Sequence, residues 1–308
     1  MKTPWWFLSK NLMAWILLPV SWLYYLVGQV VYFVRAKKPF VSNRPVICVG
    51  NILAGGVGKT PVVRAIANHL DSPVVMRGYK KSGKTGNIGD EATMLSRSGL
   101  VVHVGNRKAN IALLNKQKEI TPIVMDDGLQ NPTINKDIKL VVFDEGLGFG
   151  NGFLLPAGPL RQPKKVLKNA DAIIVIKNKK TKKNFKLPDG VPVFYATNHT
   201  VSPYDEDTKI VAFAGIGYPK KFFNSLKNVV AKRGFPDHYQ YTFQDLDVLF
   251  SLANKKGAKL LTTEKDWVRL PIEIRDKIKY ARLDTVIENR FYDWLKEKIE
   301  YANFKKTS

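Results

Sequence analysis

The residues with the most definite chemistry are Leu53-Ala-Gly-Gly-Val-Gly-Lys59-Thr60. Glycines at 55, 56 and 58 let main-chain N–H groups curl around phosphate oxygens. A helix opening there adds positive partial charge. A lysine at its start reaches the β- and γ-phosphates of a nucleotide, and a threonine hydroxyl ligates Mg²⁺. Leu53, Ala54, Gly55, Gly56, Val57, Gly58, Lys59 and Thr60 are therefore expected around ATP. Lys59 is also expected to be catalytic, because it neutralises charge on the transferred phosphoryl group. The strict pattern has glycine where Leu53 stands. Gly55 and Gly56 supply the flexibility instead.

Such a loop needs an acid for the metal at the end of a neighbouring strand. Ile123-Val-Met-Asp126-Asp127 has that form. Two adjacent carboxylates are costly without a cation. A second pair, Asp90-Glu91, follows Gly89 in a polar stretch; alone it reads equally as the cap and first-turn acid of a helix. Arg77, Arg107 and Arg161 fall near expected strand ends or in loops. There a guanidinium suits bidentate contact with phosphate. The lone cysteine, Cys48, excludes a disulfide framework and a Cys-rich zinc site. The four histidines include no His-x-x-x-His pair.

The elements around these residues alternate. Apolar, β-branched runs occur at Val46–Val49, Val74–Met76, Val101–Val104, Ile123–Met125, Leu140–Phe143, Ile173–Ile176 and Val193–Tyr195. Helical patterns lie between several of them, as at Val62–Leu70 and Ala109–Lys118. Continuous apolar strands alternating with helices imply an α/β fold of the P-loop kind: a mostly parallel sheet with helices on both faces. The chain turns polar at Thr197–Asp207, where a boundary is expected. A smaller C-terminal α/β domain follows, with a strand at Ile210–Ala214, a helix from Pro219 and a strand near Lys259–Thr262. The expected division is 1–38, 39–200 and 201–308.

Residues 11–34 carry no charge, and four of the six tryptophans lie in the first 22 positions. A helix of that length runs roughly 36 Å, against a hydrocarbon core of about 30 Å. Pro19 and Gly28 would kink or weaken it, and tryptophan and tyrosine prefer the headgroup region. The segment is expected to be a membrane-associating helix, spanning or interfacial. Arg35, Lys37 and Lys38 place the remainder on the cytoplasmic side. The 49 basic and 26 acidic residues give a net charge of +23. That favours an anionic partner. Residues 161–190 hold ten basic and two acidic side chains, densest from Lys177 to Lys186; they read as a solvated loop or as attraction to an anionic membrane. No helix-turn-helix, aromatic RNA-binding motif or zinc finger supports nucleic acid as that partner.

The motifs occur in a specific order: Val49-Gly-Asn-Ile-Leu-Ala-Gly-Gly-Val-Gly-Lys-Thr-Pro61, Arg77-Gly-Tyr79, Gly89-Asp-Glu91, Asp126-Asp-Gly-Leu-Gln130, Phe149-Gly-Asn-Gly152, Leu155-Pro-Ala-Gly-Pro-Leu-Arg161, Phe235-Pro-Asp-His238 and Thr262-Thr-Glu-Lys-Asp266. This series resembles the tetraacyldisaccharide 4'-kinases, the lipid A 4'-kinases of Gram-negative bacteria, over nearly the whole chain. The resemblance implies transfer of the ATP γ-phosphate to the 4'-hydroxyl of an acylated glucosamine disaccharide 1-phosphate, at the cytoplasmic face of the bacterial inner membrane. It implies that Asp90 takes the hydroxyl proton while His238 orients it across a cleft. Thr60, Glu91, Asp126 and Asp127 are expected near Mg²⁺, and Asn51, Arg77, Arg107 and Arg161 near substrate. Met76, Val57 and Asn131 depart from the family's usual serine, threonine and histidine. The competing reading is a membrane-associated P-loop ATPase of the partitioning, deviant-Walker type. Ala54 stands where those proteins carry their signature lysine.

Overall fold

A computed structural model describes residues 4–78, 89–178 and 185–307. Tyr79 and the middle of the basic run, 179–184, lie outside them. The strands are β1 (Val46–Gly50), β2 (Val74–Met76), β3 (Val102–Val104), β4 (Ile123–Asp126), β5 (Ile138–Asp144), β6 (Ala172–Ile176), β7 (Val193–Val201), β8 (Ile210–Ala214), β9 (Val229–Gly234), β10 (Lys259–Thr263) and β11 (Lys279–Ile287). The helices are α1 (Leu12–Ile16), α2 (Leu18–Arg35), α3 (Lys59–His69), α4 (Asp90–Arg97), α5 (Arg107–Leu114), α6 (Pro219–Phe223), α7 (Phe243–Lys256), α8 (Glu264–Trp267) and α9 (Asn289–Thr307). The chain divides into two compact units. The larger joins Pro4–Thr197 to Thr285–Ser308, and the smaller is Asn198–Asp284.

In the larger unit the strand order is β3-β2-β4-β1-β5-β6-β7, and the pairings are parallel. The apolar runs are continuous because both faces are covered. Ile47, Val49, Val124, Leu140 and Val142 pack with Val62, Val63 and Ile66 of α3. Their alternates Val46, Cys48, Ile123 and Met125 pack with Ile111 and Leu114 of α5 on the other face. This is the period-2 alternation of a strand buried on both sides. The C-terminal helix α9 sends Phe291 and Leu295 into the first of these cores. The last residues therefore count with the larger unit, which differs from the partition expected at 201–308. Burial of aromatic and leucine side chains outweighs their position after the smaller unit in sequence.

The smaller unit has strand order β11-β10-β8-β9, also parallel. Its core collects Phe213, Tyr241, Leu246, Leu249 and Trp267. Helix α7 begins with a capping box between Thr242 and Asp245 and ends at Gly257 in the left-handed region.

The apolar N-terminus forms α1 and α2, interrupted at Leu17. No helix among the described residues is long and apolar enough to cross a membrane, which corrects the spanning alternative. The segment is seated on the loop after β5. Asn151 donates to Trp6 O and Ala157 O, both at 2.8 Å. Ser21 Oγ accepts from Ala157 N at 3.0 Å and donates to Leu154 O at 3.0 Å. Trp15 meets Phe153 edge-on at 5.1 Å between centroids. The outer face stays apolar and exposed, including Trp22, Leu23, Leu26, Val30, Phe33 and Val34.

Candidate active site

The site collects at the carboxyl ends of β1 and β4, where loops leave a parallel sheet. β1 ends at Gly50. The chain then crosses Asn51 to Gly58 and enters α3 at Lys59. Gly55 and Gly58 have φ of +112° and +80°, which any other residue would resist. A Cβ added at Gly55 or Gly56 would meet nothing within 4 Å. The main chain at Gly55 and Gly56 is thus open for approach by phosphate oxygens, just before the N-terminus of an 11-residue helix.

Leu53 and Ala54, expected in this cradle, are engaged elsewhere. Leu53 is buried and bridges Leu160, and Ala54 N donates to Pro159 O at 2.7 Å. A leucine replaces the usual first glycine because this position packs into the core beside Phe149 and Val57. Asn51, expected near substrate, is fully buried, and its Nδ2 has no hydrogen-bond partner among the described residues. Its Oδ1 accepts from Lys59 Nζ at 3.1 Å, and its backbone O accepts from Gln130 Nε2 at 2.8 Å. Gln130 also donates to Gln162. Gln130 ends the Asp126-Asp-Gly-Leu-Gln130 motif, and its residue type alone does not reveal this bracing of the loop.

Lys59 Nζ lies 3.3 Å from Asp127 Oδ1, and Arg161 Nη1 lies 3.1 Å from Asp127 Oδ2. Burial opposes the charge of Asp127, but Lys59 and Arg161 outweigh it and hold the carboxyl below its usual range. Asp126 behaves in the opposite way. Burial, then the charge of Glu91, pushes its carboxyl up to about 7. Its Oδ1 is buried without a hydrogen-bond partner among the described residues. A buried carboxylate oxygen left unmatched beside a phosphate cradle fits a cation site. The expected acidic set does not converge, however. Among the described residues no three His, Cys, Asp or Glu side chains stand close enough to share a metal ion. Asp127 is drawn to the two basic groups instead.

Arg107, expected near substrate, makes main-chain contacts as well. Its guanidinium is half-buried against the turn after β4. Nη2 donates to the carbonyls of Asp126 at 2.6 Å and Asp127 at 3.1 Å. Asp127 has φ +50°, so this arginine clamps a strained turn. Arg77 follows β2 and is exposed. Asp90 and Glu91 open α4 in its first turn, with Gly89 as N-cap; a helix start favours carboxylates there. In the smaller unit, His238 has φ +61° and its Nδ1 lies 3.1 Å from Arg269 Nη2. Arg269 also pairs with buried Asp266 at 3.2 Å. Asp266 was visible in a quoted motif and Arg269 was not. The i, i+3 spacing of acid and base was the available signal.

A parallel sheet whose first strand feeds a glycine loop and a helix opened by lysine and threonine is the build of a P-loop α/β protein. The LpxK family profile, described as tetraacyldisaccharide-1-P 4'-kinase, matches residues 13–300. The tetraacyldisaccharide 4'-kinase of Rickettsia bellii is 37% identical over 292 residues, 85% of this chain and 87% of that one. The enzyme of Rickettsia felis is 36% identical over 314 residues, 94% of each. The crystal structure of "apo" form LpxK from Aquifex aeolicus in complex with ATP superposes with a TM-score of 0.73 at 25% identity, covering 94% of this chain and 99% of that one. The chain belongs to the tetraacyldisaccharide-1-P 4'-kinase family. It is a kinase of lipid A biosynthesis, which sets aside the partitioning ATPase.

Proposed function

We propose that the loop Gly55–Thr60 and the turn Asp126–Asp127 are the phosphoryl-transfer site for the 4'-hydroxyl of tetraacyldisaccharide 1-phosphate. The observation that carries this reading is the meeting of Lys59, Asp127 and Arg161 at the open glycine loop. ATP, when bound, supplies the γ-phosphoryl group. Gly55, Gly56, Val57 and Gly58 offer main-chain N–H groups to its phosphates. Lys59 and Arg161 balance negative charge there, and each has Asp127 as its partner in the structure. Thr60 and Asp126 would hold Mg²⁺, the ion that completes charge neutralisation, with Glu91 close enough to add to its attraction. Arg77, exposed beyond β2, is free to reach an acidic acceptor.

A sugar hydroxyl needs a proton acceptor. Asp90 serves as that base and His238 orients it. The two stand in different compact units, so their joint action is tested kinetically. Asp90→Ala and His238→Ala should each lower kcat by about 10²-fold or more with little change in KM for ATP. The double variant should lose far less than the product of the single losses. Multiplicative losses would contradict joint action.

The acceptor is a lipid, and the exposed apolar face of α1 and α2 supports a chain resting on a membrane surface. We place it at the cytoplasmic face of the inner membrane, with the 4–38 segment as contact, the body to about residue 200 as nucleotide half and the following unit as the carrier of His238.

A further inference from the structure

The ring of His238 has two nitrogens, and the structure assigns them different jobs. Arg269 Nη2 lies 3.1 Å from Nδ1. A guanidinium carries only donors and keeps its proton at any ordinary pH. Nδ1 must therefore be the acceptor. A proton on Nδ1, in either the neutral or the cationic ring, would set two donors against each other. The guanidinium is not free to turn away. Its Nη1 donates to Gly215 O at 3.0 Å and to Asp266 Oδ1 at 3.2 Å. Asp266 is itself fixed, accepting from Thr263 Oγ1 at 2.6 Å. Its side chain and that of Arg269 are essentially fully buried. The backbone holds the ring from its own side: His238 N donates to Gly215 O at 3.1 Å. At the other nitrogen, Asp237 Oδ1 lies 3.9 Å from Nε2 and favours a proton there. The His238 side chain remains 54% exposed.

We propose that Arg269, anchored on Asp266, is a positioning residue that fixes His238 as the neutral Nε2–H tautomer, so that His238 presents a hydrogen-bond donor to the reaction and not a base. The proposal rests on the reading that His238 serves phosphoryl transfer. It divides the labour within that reading: the proton goes to Asp90, and the histidine steadies the oxygen that it touches. The chemical partner of Nε2–H is an anionic or lone-pair oxygen, a carboxylate or a phosphate.

The test has a spectroscopic and a kinetic arm. In full-length wild-type chain labelled with ¹⁵N-histidine, the His238 signals, assigned by loss in His238→Ala, should show a protonated Nε2 and an unprotonated Nδ1 at the assay pH. A protonated Nδ1 overturns the proposal without any arginine variant. The neutral pair Asp266→Asn with Arg269→Met removes the clamp without stranding a buried charge. It should give mixed tautomers and a kcat about tenfold lower, with KM for ATP unchanged. An unchanged tautomer and an unchanged kcat would also overturn it. His238→Gln keeps a donor but cannot act as a base, and should retain at least about tenfold more kcat than His238→Ala. A glutamine variant as slow as alanine contradicts the donor role. If instead His238→Ala keeps wild-type kcat, the reading of His238 as functional fails, while the tautomer measurement still judges the arginine.

Discussion

Asp126 and Asp127 are adjacent yet oppositely disposed. One is buried with an unmatched oxygen, and the other is neutralised by Lys59 and Arg161. The turn that separates them requires a left-handed aspartate, and Arg107 secures it through two carbonyls. Arg107 thus acts on the site through the main chain. Arg107→Lys, whose ammonium lacks the planar fork, should lower kcat by about tenfold or more while leaving KM for the acceptor nearly unchanged. A selective rise in acceptor KM would show direct substrate contact instead. The sequence singles out Asn51, Lys59, Arg107, Asp126 and Asp127, and the structure adds contacts among them that residue types alone do not display. Lys59, Asp126 and Asp127 were legible because charge beside a glycine loop has few other uses. The contacts of Arg107 and Asn51 were not, since a guanidinium or amide that binds a carbonyl looks the same in sequence as one that binds a phosphate.

At the level of elements, β1, β2, β4, β5 and β6 of the larger unit were readable because both faces are buried and the runs are nearly unbroken. β9 and β11 escaped that reading. Val229–Gly234 has no buried position and exposes Lys232 and Arg233, and in Lys279–Ile287 only Ala281, Thr285 and Ile287 are buried. A search for continuous apolar runs passes over them. The Phe149–Gly152 and Leu155–Arg161 motifs enter the sequence analysis only through their order along the chain, and much of their work is structural. Gly150 has φ +59°, and a Cβ there would lie 2.6 Å from Pro159 Cγ and 2.7 Å from Phe7 O. Gly150→Ala should therefore destabilise the chain by about 2 kcal/mol or more, combining left-handed strain with a backbone clash. Thermal or urea unfolding reads this directly. An unchanged midpoint would mean that the N-terminal segment is not seated on this loop as described.

At the scale of the whole molecule, a net charge of +23 accompanies an exposed apolar helix face and exposed lysines at 164, 165 and 168. Apolar insertion and charge attraction are separable terms. Sedimentation with vesicles containing anionic lipid should exceed that with neutral vesicles. The difference should shrink as salt rises from 0.05 to about 0.5 M, because the Debye length falls. Leu23→Asp with Val27→Asp should reduce binding to both. Binding indifferent to these substitutions would contradict attachment through α2. Whether the loop ending in Lys59 carries the transfer to the lipid is read by comparing wild type with Lys59→Ala. Each is incubated with γ-labelled ATP and tetraacyldisaccharide 1-phosphate, and the lipid is extracted. Label should enter the organic phase with wild type and fall by at least about 10²-fold with Lys59→Ala, at an unfolding midpoint showing the variant folded. Near-normal labelling of the lipid by folded Lys59→Ala would contradict the account.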